Sequence, residues 1–243
     1  MTTYIFCISL KKNHNQKTIV LRKKIDETEV LEIIEDKKTA LFKSLFSRPK
    51  KTDIHIHSIK LYYECILMIS GKYMANYFRK ATHSISVHSN VSEVVLGDGT
   101  FPVRTKSNFK KAIVGKRGKN KVDLKLEEHV FVENEDELTF DHHGREIKFP
   151  FKLNSKTTEN YPNRVLEKNA SNVKNSELTH EDAIKKLQIS LKKPLQDEVR
   201  KLEEEFVLRE ISEVFVPIYE ARLIGPKKKV AIIRIDSVRN KIL

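Results

Sequence analysis

The sequence predicts an α+β protein made mostly of antiparallel β-sheet hairpins, with one N-terminal amphipathic helix and one broken C-terminal helix. Two observations carry this prediction. Apolar and β-branched residues alternate with a period of two through residues 53–104 and again through 210–238. Apolar residues recur at helical spacing only in the regions 26–49 and 179–206.

The first 49 residues predict a hairpin followed by a helix. Apolar runs at 3–10 and 17–22 flank a polar turn, which is the pattern of two hairpin arms. Asp26 and Glu29 have the spacing of a capping box, and Pro49 ends the helical pattern. The apolar positions of this helix are Val30, Ile33, Ile34, Leu41 and Leu45.

Turn residues predict the remaining hairpins. Residues 53–104 read as successive strands, the last two of which meet at Gly97-Asp98-Gly99. Two further pairs of alternating arms meet at His142-His143-Gly144 and at Gly225-Pro226. The second helix begins near Thr179 and Asp182, is interrupted by Pro194 and resumes over residues 195–206.

The composition changes along the chain and suggests three parts. Residues 1–151 form a β-rich α+β domain that contains a basic loop at 104–125. Residues 152–178 are polar, rich in asparagine and without period, which is typical of a linker. Residues 179–243 then form a helix and a β-hairpin that could pack on the same core.

Composition and cysteine usage indicate a cytoplasmic protein. The 243 residues are 39% hydrophobic and 33% charged, which is enough apolar content for a folded core. Cys7 and Cys65 both lie in apolar runs, as buried thiols do in a reducing compartment. We expect no secretory signal and no transmembrane segment, because no apolar run approaches the roughly 18 to 20 residues that span a bilayer.

Charge is the most informative property of the sequence. There are 46 Lys and Arg residues against 33 Asp and Glu, a formal net charge of +13. Residues 104–125 hold nine basic residues and one Asp, so this stretch contributes +8 and the remaining 221 residues contribute +5. Such an excess predicts a polyanionic partner or an anionic surface.

The segments FVPIYEARLIGPKKKVAIIRID (215–236) and ENEDELTFDHHGREIKFPF (133–151) resemble an uncharacterised protein family of ammonia-oxidising archaea. The resemblance implies a cytoplasmic archaeal protein. It implies no activity and no catalytic residues.

The centre of the basic stretch, AIVGKRGKNKV (112–122), resembles the G-x-x-G loop with which KH domains clamp single-stranded nucleic acid. It departs from that pattern at Lys121, where a KH helix has an apolar residue. The flanking segment SNFKKA is also short for a helix. A basic loop between two strands is therefore the simpler interpretation, and such a loop can still bind phosphates.

Two histidine patterns suggest metal chemistry. Asp53, His55 and His57 resemble the D-x-H-x-H strand of PHP phosphoesterases and amidohydrolases, and His83 and His88 could complete a site from an adjacent strand. The two helical regions cannot supply the barrel of those families, so exposed strand residues are the alternative. Asp141-His142-His143 matches the letters of the DHH phosphoesterases but also reads as a hairpin turn.

No catalytic signature is complete, which favours a binding protein without a cofactor over an enzyme. The first hypothesis is weakly sequence-selective binding of RNA or DNA. The second is a metal-dependent phosphoesterase using Asp53, His55 and His57, and the third is a structural or assembly protein with an acidic protein partner or an anionic membrane surface. Tyrosines and Phe78 in the strands could stack on bases or fill the core. The predicted nucleic-acid-binding residues are Arg104, Lys106, Lys110, Lys111, Lys116, Arg117, Lys119 and Lys121.

Overall fold

The computed structural model describes residues 9–11, 15–43, 49–103, 120–194 and 199–243. It confirms a mixed α+β protein dominated by antiparallel sheet. The helices in this part of the chain are α1 (Glu27–Leu41), α2 (Pro162–Lys168) and α3 (His180–Leu191). The strands are β1 (Ser9–Lys11), β2 (Asn15–Val20), β3 (His55–Val87), β4 (Glu93–Leu96), β5 (Gly99–Pro102), β6 (Asn120–Phe140), β7 (Val173–Lys174), β8 (Val199–Ile224), β9 (Val230–Asp236) and β10 (Lys241–Ile242).

The described residues form two compact units. Unit 1 contains residues 9–10, 73–103, 120–134, 192–194 and 199–206. Unit 2 contains residues 11, 15–43, 49–72, 135–191 and 207–243. The strands β3, β6 and β8 each contribute residues to both units.

One large sheet holds most of the strands, in the order β10-β9-β8-β3-β6. Strand β2 adds to β8 in parallel, from Asn15 opposite Glu210 to Val20 opposite Phe215. The prediction of several strands between residues 53 and 87 is wrong, because β3 is one strand of 33 residues. It contains no proline and only Gly71, and both of its edges are paired, so nothing interrupts its hydrogen bonding.

Helix α1 covers one face of the sheet in unit 2. Asp26 accepts hydrogen bonds from the backbone N–H groups of Thr28 and Glu29, and the Glu29 carboxylate accepts one from the Asp26 N–H. These contacts form a capping box at the start of the helix. Buried apolar residues of α1 and of the facing strands form the core here, namely Val30, Ile34, Tyr219, Ala221, Leu223, Ile233 and Ile235.

The predicted resumption of the second helix after Pro194 is wrong. Helix α3 ends at Leu191, and strand β8 begins at Val199. In β8 the side chain of Glu204 is only 2% exposed and binds Lys192 Nζ and the Tyr73 hydroxyl, each at 2.6 Å. Both donors bind Oε1 of Glu204, so tertiary contacts hold this residue in the strand although the run of three glutamates at 203–205 favours a helix.

Residues 152–178, predicted to be a polar linker, contain ordered structure within unit 2. The Arg22 N–H donates to the carbonyl of Thr157, and the Glu159 N–H donates to the carbonyl of Val20. Helix α2 places Val165 and Leu166 against a buried cluster of β2, β3 and β8. Backbone hydrogen bonds, rather than apolar periodicity, hold much of this segment in place.

Two predicted glycine turns are confirmed. Strands β4 and β5 pair from Leu96 opposite Gly99, and Gly97 has a φ of 58°, a conformation that glycine adopts without steric cost. Strands β8 and β9 pair up to Ile224 opposite Val230. The turn at His142-His143-Gly144 also exists, but its second arm is limited to a bridge between Phe140 and Glu146.

A buried ionic cluster lies on the other face of the unit 2 sheet. Glu64 on β3 is 5% exposed. Both of its carboxylate oxygens contact Arg234 Nη2, and Oε1 also accepts a hydrogen bond from Lys174 Nζ at 3.0 Å. His142 Nδ1 lies 3.5 Å from Oε2. The cluster therefore joins β3 to β9, to β7 and to the turn after β6.

The charges of this cluster set the protonation of its members. Burial alone would raise the pKa of Glu64, but Lys174, Arg234 and His142 together outweigh it and hold that pKa below its usual range. Burial lowers the pKa of His142, and the attraction of Glu64 only partly offsets this effect. At neutral pH Glu64 is therefore ionised and His142 is neutral.

Gly225→Ala should destabilise the protein by about 1 to 3 kcal/mol through overpacking. A Cβ at this position would lie 2.5 Å from Cδ1 of Phe42, which packs beside α1. Urea unfolding measures the effect, and the same substitution in a Phe42→Ala background is the control. If Gly225→Ala cost as much free energy in that background, contact with the Phe42 ring would not be the cause.

Glu64→Gln should lower the free energy of unfolding at pH 7 by about 3 kcal/mol, because Arg234 and Lys174 lose a buried counter-charge. The folded-state pKa of Glu64 is below its unfolded value of about 4.3, so its stabilisation is complete above that value. It is lost as the pH falls through the folded-state pKa. Unfolding curves from pH 7 to pH 3 should thus show the two proteins converging in acid.

The matched control for this experiment is Glu167→Gln, which removes an exposed carboxylate from α2. It should change the free energy of unfolding by less than about 0.5 kcal/mol at any pH. A constant difference between Glu64→Gln and the parent protein across the acid range would contradict the assigned direction of the Glu64 pKa.

Candidate nucleic-acid interface

The structure describes one of the eight residues predicted to bind nucleic acid. Lys121 lies near the start of β6 and is exposed. The other seven lie outside the described residues, namely Arg104, Lys106, Lys110, Lys111, Lys116, Arg117 and Lys119.

Val103 and Asn120, the described residues that flank 104–119, both form hydrogen bonds with the segment 89–92 of unit 1. The Val103 N–H donates to the carbonyl of Ser92 at 3.0 Å. The buried side chain of Asn120 donates through Nδ2 to the carbonyl of Ser89 at 3.1 Å. The basic stretch therefore leaves and rejoins the described chain beside residues 89–92.

Strand β6 alternates between a buried and an exposed side in unit 1. Val122 and Leu124 are buried, with exposures of 0% and 8%. Successive side chains of a strand point to opposite sides, so the odd-numbered positions share the other side. That side carries Lys121, Asp123, Lys125, Glu127, His129 and Phe131.

An aromatic pair lies on this exposed side. The rings of Phe78 on β3 and His129 on β6 are stacked, with centroids 4.5 Å apart and planes inclined by 11°. His129 Nε2 is 2.5 Å from Oδ1 of Asn76, which fixes the ring in position. Phe131, two residues further along β6, is 62% exposed. Within this pair Phe78 is half-buried, whereas His129 and Phe131 are exposed flat rings held by a sheet, the kind of group on which unpaired bases stack.

Basic residues surround the aromatic pair. Lys201 Nζ lies 5.4 Å from the centre of the Phe78 ring, and Lys201 has a φ of 48°, an uncommon backbone conformation for a residue with a side chain. A trough of about 610 Å³ is lined by Lys80, Lys125 and Arg200 from three strands. We call the surface formed by Phe78, Lys80, Lys121, Lys125, His129, Phe131, Arg200 and Lys201 the aromatic-basic face.

Two acidic residues on the same side of β6 have partners. Asp123 accepts a hydrogen bond from the Ser84 hydroxyl at 2.5 Å, and Glu127 lies 4.0 Å from Arg200. Glu128 points to the other side of β6, where Arg79 and His83 bind it at 2.7 and 2.6 Å. Arg79 and His83 hold the pKa of Glu128 below its usual range. The aromatic-basic face thus carries five basic residues, and Asp123 and Glu127 on the same side of β6 are both partnered.

The aromatic residues divide between core and surface. Tyr63, Tyr73 and Tyr77 are buried, with exposures of 7%, 3% and 5%. Burial and the neighbouring Glu204 carboxylate raise the pKa of Tyr73, which keeps its hydroxyl protonated as a donor. Phe78 has the opposite parity to Tyr73 and Tyr77 and so lies on the exposed side of β3.

The D-x-H-x-H residues lie at the start of β3 in unit 2. Asp53 belongs to a short 3-10 turn and accepts a hydrogen bond from the Lys50 N–H, while His55 and His57 are exposed on the strand. His83 lies further along this same strand, so the idea that it approaches from a neighbouring strand is wrong. Within the described ranges no three His, Cys, Asp or Glu residues form a group able to hold a metal ion.

Sequence reasoning missed His129 and the trough. Strand β6 reads as two separate arms in sequence, and a lone histidine in a polar stretch has no pattern of its own. The available signal was the alternation of apolar residues at even positions from Val122 to Val130, interrupted at Glu128, which places His129 on the same side as Lys121 and Lys125. Only pairing with β3 brings it onto Phe78.

No helix in the described part of the chain is long and apolar enough to cross a membrane. Comparison with known proteins found no matching family model, no matching curated protein and no matching solved structure.

Proposed function

We propose that this protein binds single-stranded RNA or DNA with weak sequence selectivity. The contacts would come from the basic residues between Arg104 and Lys121 and from the aromatic-basic face of unit 1. The observation that carries the proposal is the near-parallel stack of Phe78 and His129 among lysines and arginines. Stacked rings give an unpaired base a flat apolar surface, and the surrounding cations neutralise its phosphates.

The weak selectivity follows from the kind of contact offered. Every base has a π-face, so stacking on Phe78 or His129 discriminates little between bases. Lysine ammonium groups contact phosphates, which carry no sequence information. Lys121 and Lys125 line the side of β6 that also carries His129, so phosphate and base contacts would lie along one strand.

The basic stretch supplies the larger share of charge. Residues 104–119 contain seven Lys or Arg residues and no acidic residue. Because the chain enters and leaves this stretch beside Ser92 and Ser89, its charge is tethered at both ends to unit 1. We expect it to contribute affinity and association rate, while the stacked rings select unpaired strands.

Charge reversal of the basic stretch tests the first half of the proposal. The triple variant Lys116→Glu, Arg117→Glu and Lys119→Glu should weaken binding to a single-stranded oligonucleotide by more than 100-fold at low salt, and affinity should fall steeply as salt rises. Fluorescence anisotropy measures both. The matched control reverses Lys227, Lys228 and Lys229 in the β8–β9 turn of unit 2.

Equal losses in the two triple variants would indicate a response to net charge alone and would contradict the proposal. A purified protein that retains its cellular partners after nuclease treatment, and does not bind oligonucleotides, would instead support an assembly role with an acidic partner.

Replacing the stacked rings tests the second half. Phe78→Leu keeps an apolar side chain but removes the π-face, and it should weaken single-strand binding about five- to tenfold, as expected for one lost base stack. Duplex binding should hardly change, because paired bases do not stack on the protein. His129→Ser should also weaken single-strand binding. The control is Tyr161→Leu, which removes an exposed ring from unit 2 and should leave that binding unchanged. Unchanged single-strand affinity in both ring variants would overturn this part of the proposal.

A further inference from the structure

We propose that unit 2 contains a separate binding site for a small organic anion, with an oxyanion head such as a phosphate or carboxylate and an apolar body. The site is a cavity of about 360 Å³, within the range of ligand pockets. It borders the ionic cluster of Glu64 and is independent of the aromatic-basic face, since every residue that lines it belongs to unit 2.

The floor of the cavity is the sheet face opposite α1. Register pairs Ile218 with Asp236 and Glu220 with Arg234, so these side chains share that face with Glu64 and Ile66 of β3. The turn after β6 and residues 147–151 cover it. One part of the cavity is therefore charged and the adjoining part is apolar.

The side-chain carboxylates that line the cavity already have partners. Asp236 Oδ1 accepts from the backbone N–H groups of Val238 and Arg239, and its Oδ2 accepts from Arg239 Nε at 2.6 Å. Asp141 Oδ1 accepts from the backbone N–H groups of His143 and Arg145. Glu64 binds Arg234 and Lys174. These acidic side chains hold neighbouring segments of the chain together. A cationic ligand would have to displace their hydrogen bonds and ion pairs.

Guanidinium donors, in contrast, are in surplus. The exposed side chain of Arg145 has no hydrogen-bond or ion-pair partner among the residues that the structure describes. Arg234 Nε is buried without a hydrogen-bond acceptor in the described part of the chain, and it lies 3.9 Å from a carboxylate oxygen of Glu220. Arg239 uses Nε on Asp236, and its guanidinium carbon lies 5.0 Å from the Phe151 ring centre. An acceptor-rich ligand fits this excess of donors.

Two histidines add hydrogen-bonding groups to the charged part. The rings of His142 and His143 are in contact, with centroids 3.8 Å apart. His143 Nδ1 lies 3.0 Å from a Glu177 oxygen, and His142 is turned towards Glu64. Because arginine planes bind oxyanions through paired N–H groups, a phosphate or carboxylate head suits this end of the cavity.

The apolar part determines the rest of the ligand. Ile66, Ile147, Phe151, Val216 and Ile218 line this side of the cavity. Inorganic phosphate would leave that surface in contact with water, whereas a ring or short alkyl group would cover it and gain free energy from burial. The two halves together favour an amphipathic anion over either component by itself.

The test uses the full-length protein and phenyl phosphate as the probe, with inorganic phosphate and benzyl alcohol as its separate halves. Calorimetry should show saturable binding of phenyl phosphate, at least tenfold tighter than either half. Chemical shifts of the His142 and His143 side chains in NMR spectra should move on addition of phenyl phosphate and should saturate with the same Kd.

Arg145→Gln is the informative variant, since its side chain has no hydrogen-bond or ion-pair partner to lose among the described residues. It should weaken phenyl phosphate binding about tenfold, as expected for a lost charge-assisted hydrogen bond. Arg145→Lys keeps the charge but not the paired donors, so its affinity for phenyl phosphate should lie between those of the parent protein and Arg145→Gln. Arg164→Gln removes an exposed arginine from α2, outside the cavity, and should bind as the parent protein does.

Absence of saturable phenyl phosphate binding would overturn the proposal. So would binding that Arg145→Gln leaves unchanged, or that Arg164→Gln weakens equally. Oligonucleotide binding by Arg145→Gln should equal that of the parent protein, so failure here and failure of nucleic-acid binding by unit 1 are distinguishable.

Discussion

The buried carboxylate of Glu64 is the interaction on which the organisation of unit 2 depends. It lies on β3, yet its partners come from β7, β9 and the turn after β6. Removing two or three charges from water is costly unless they meet in good geometry. The segments that carry Arg234, Lys174 and His142 must therefore take their positions together, which aligns parts of the chain more than a hundred residues apart.

The same constraint explains why a polar segment is ordered. Residues 152–178 lack the apolar periodicity that normally marks a packed element, but this segment supplies Lys174 to the ionic cluster and Val165, Leu166 and Val173 to a neighbouring apolar cluster. Its backbone also hydrogen-bonds to Arg22 and Val20. Specific ion pairs, apolar contacts and hydrogen bonds with distant residues hold this segment in place. Sequence patterns report composition and periodicity, so they do not reveal such contacts.

The two proposed sites suit ligands of different shape, because each unit uses a sheet face differently. In unit 1 one side of β3 and β6 stays open, with Phe78 and His129 stacked among lysines. An open sheet face can contact a nucleic-acid strand along its length. In unit 2 the turn at Asp141 and residues 147–151 cover part of the sheet and leave a cavity of about 360 Å³ that opens to the surface. A cavity of this size with surplus donors suits a small acceptor-rich molecule.

By itself the sequence determined the local features of this protein: the α+β class, the glycine turns at Gly97 and Gly225, the Asp26–Glu29 cap and the concentration of charge in 104–125. Each depends on residues close together in the chain. Tertiary structure decided the rest. Several predicted strands form the single strand β3, and the helix-favouring residues near Glu204 belong to strand β8. Pairing between distant strands also stacks His129 on Phe78 and places Arg234 in contact with Glu64. Such contacts depend on strand pairing and burial between distant residues, which no local pattern encodes.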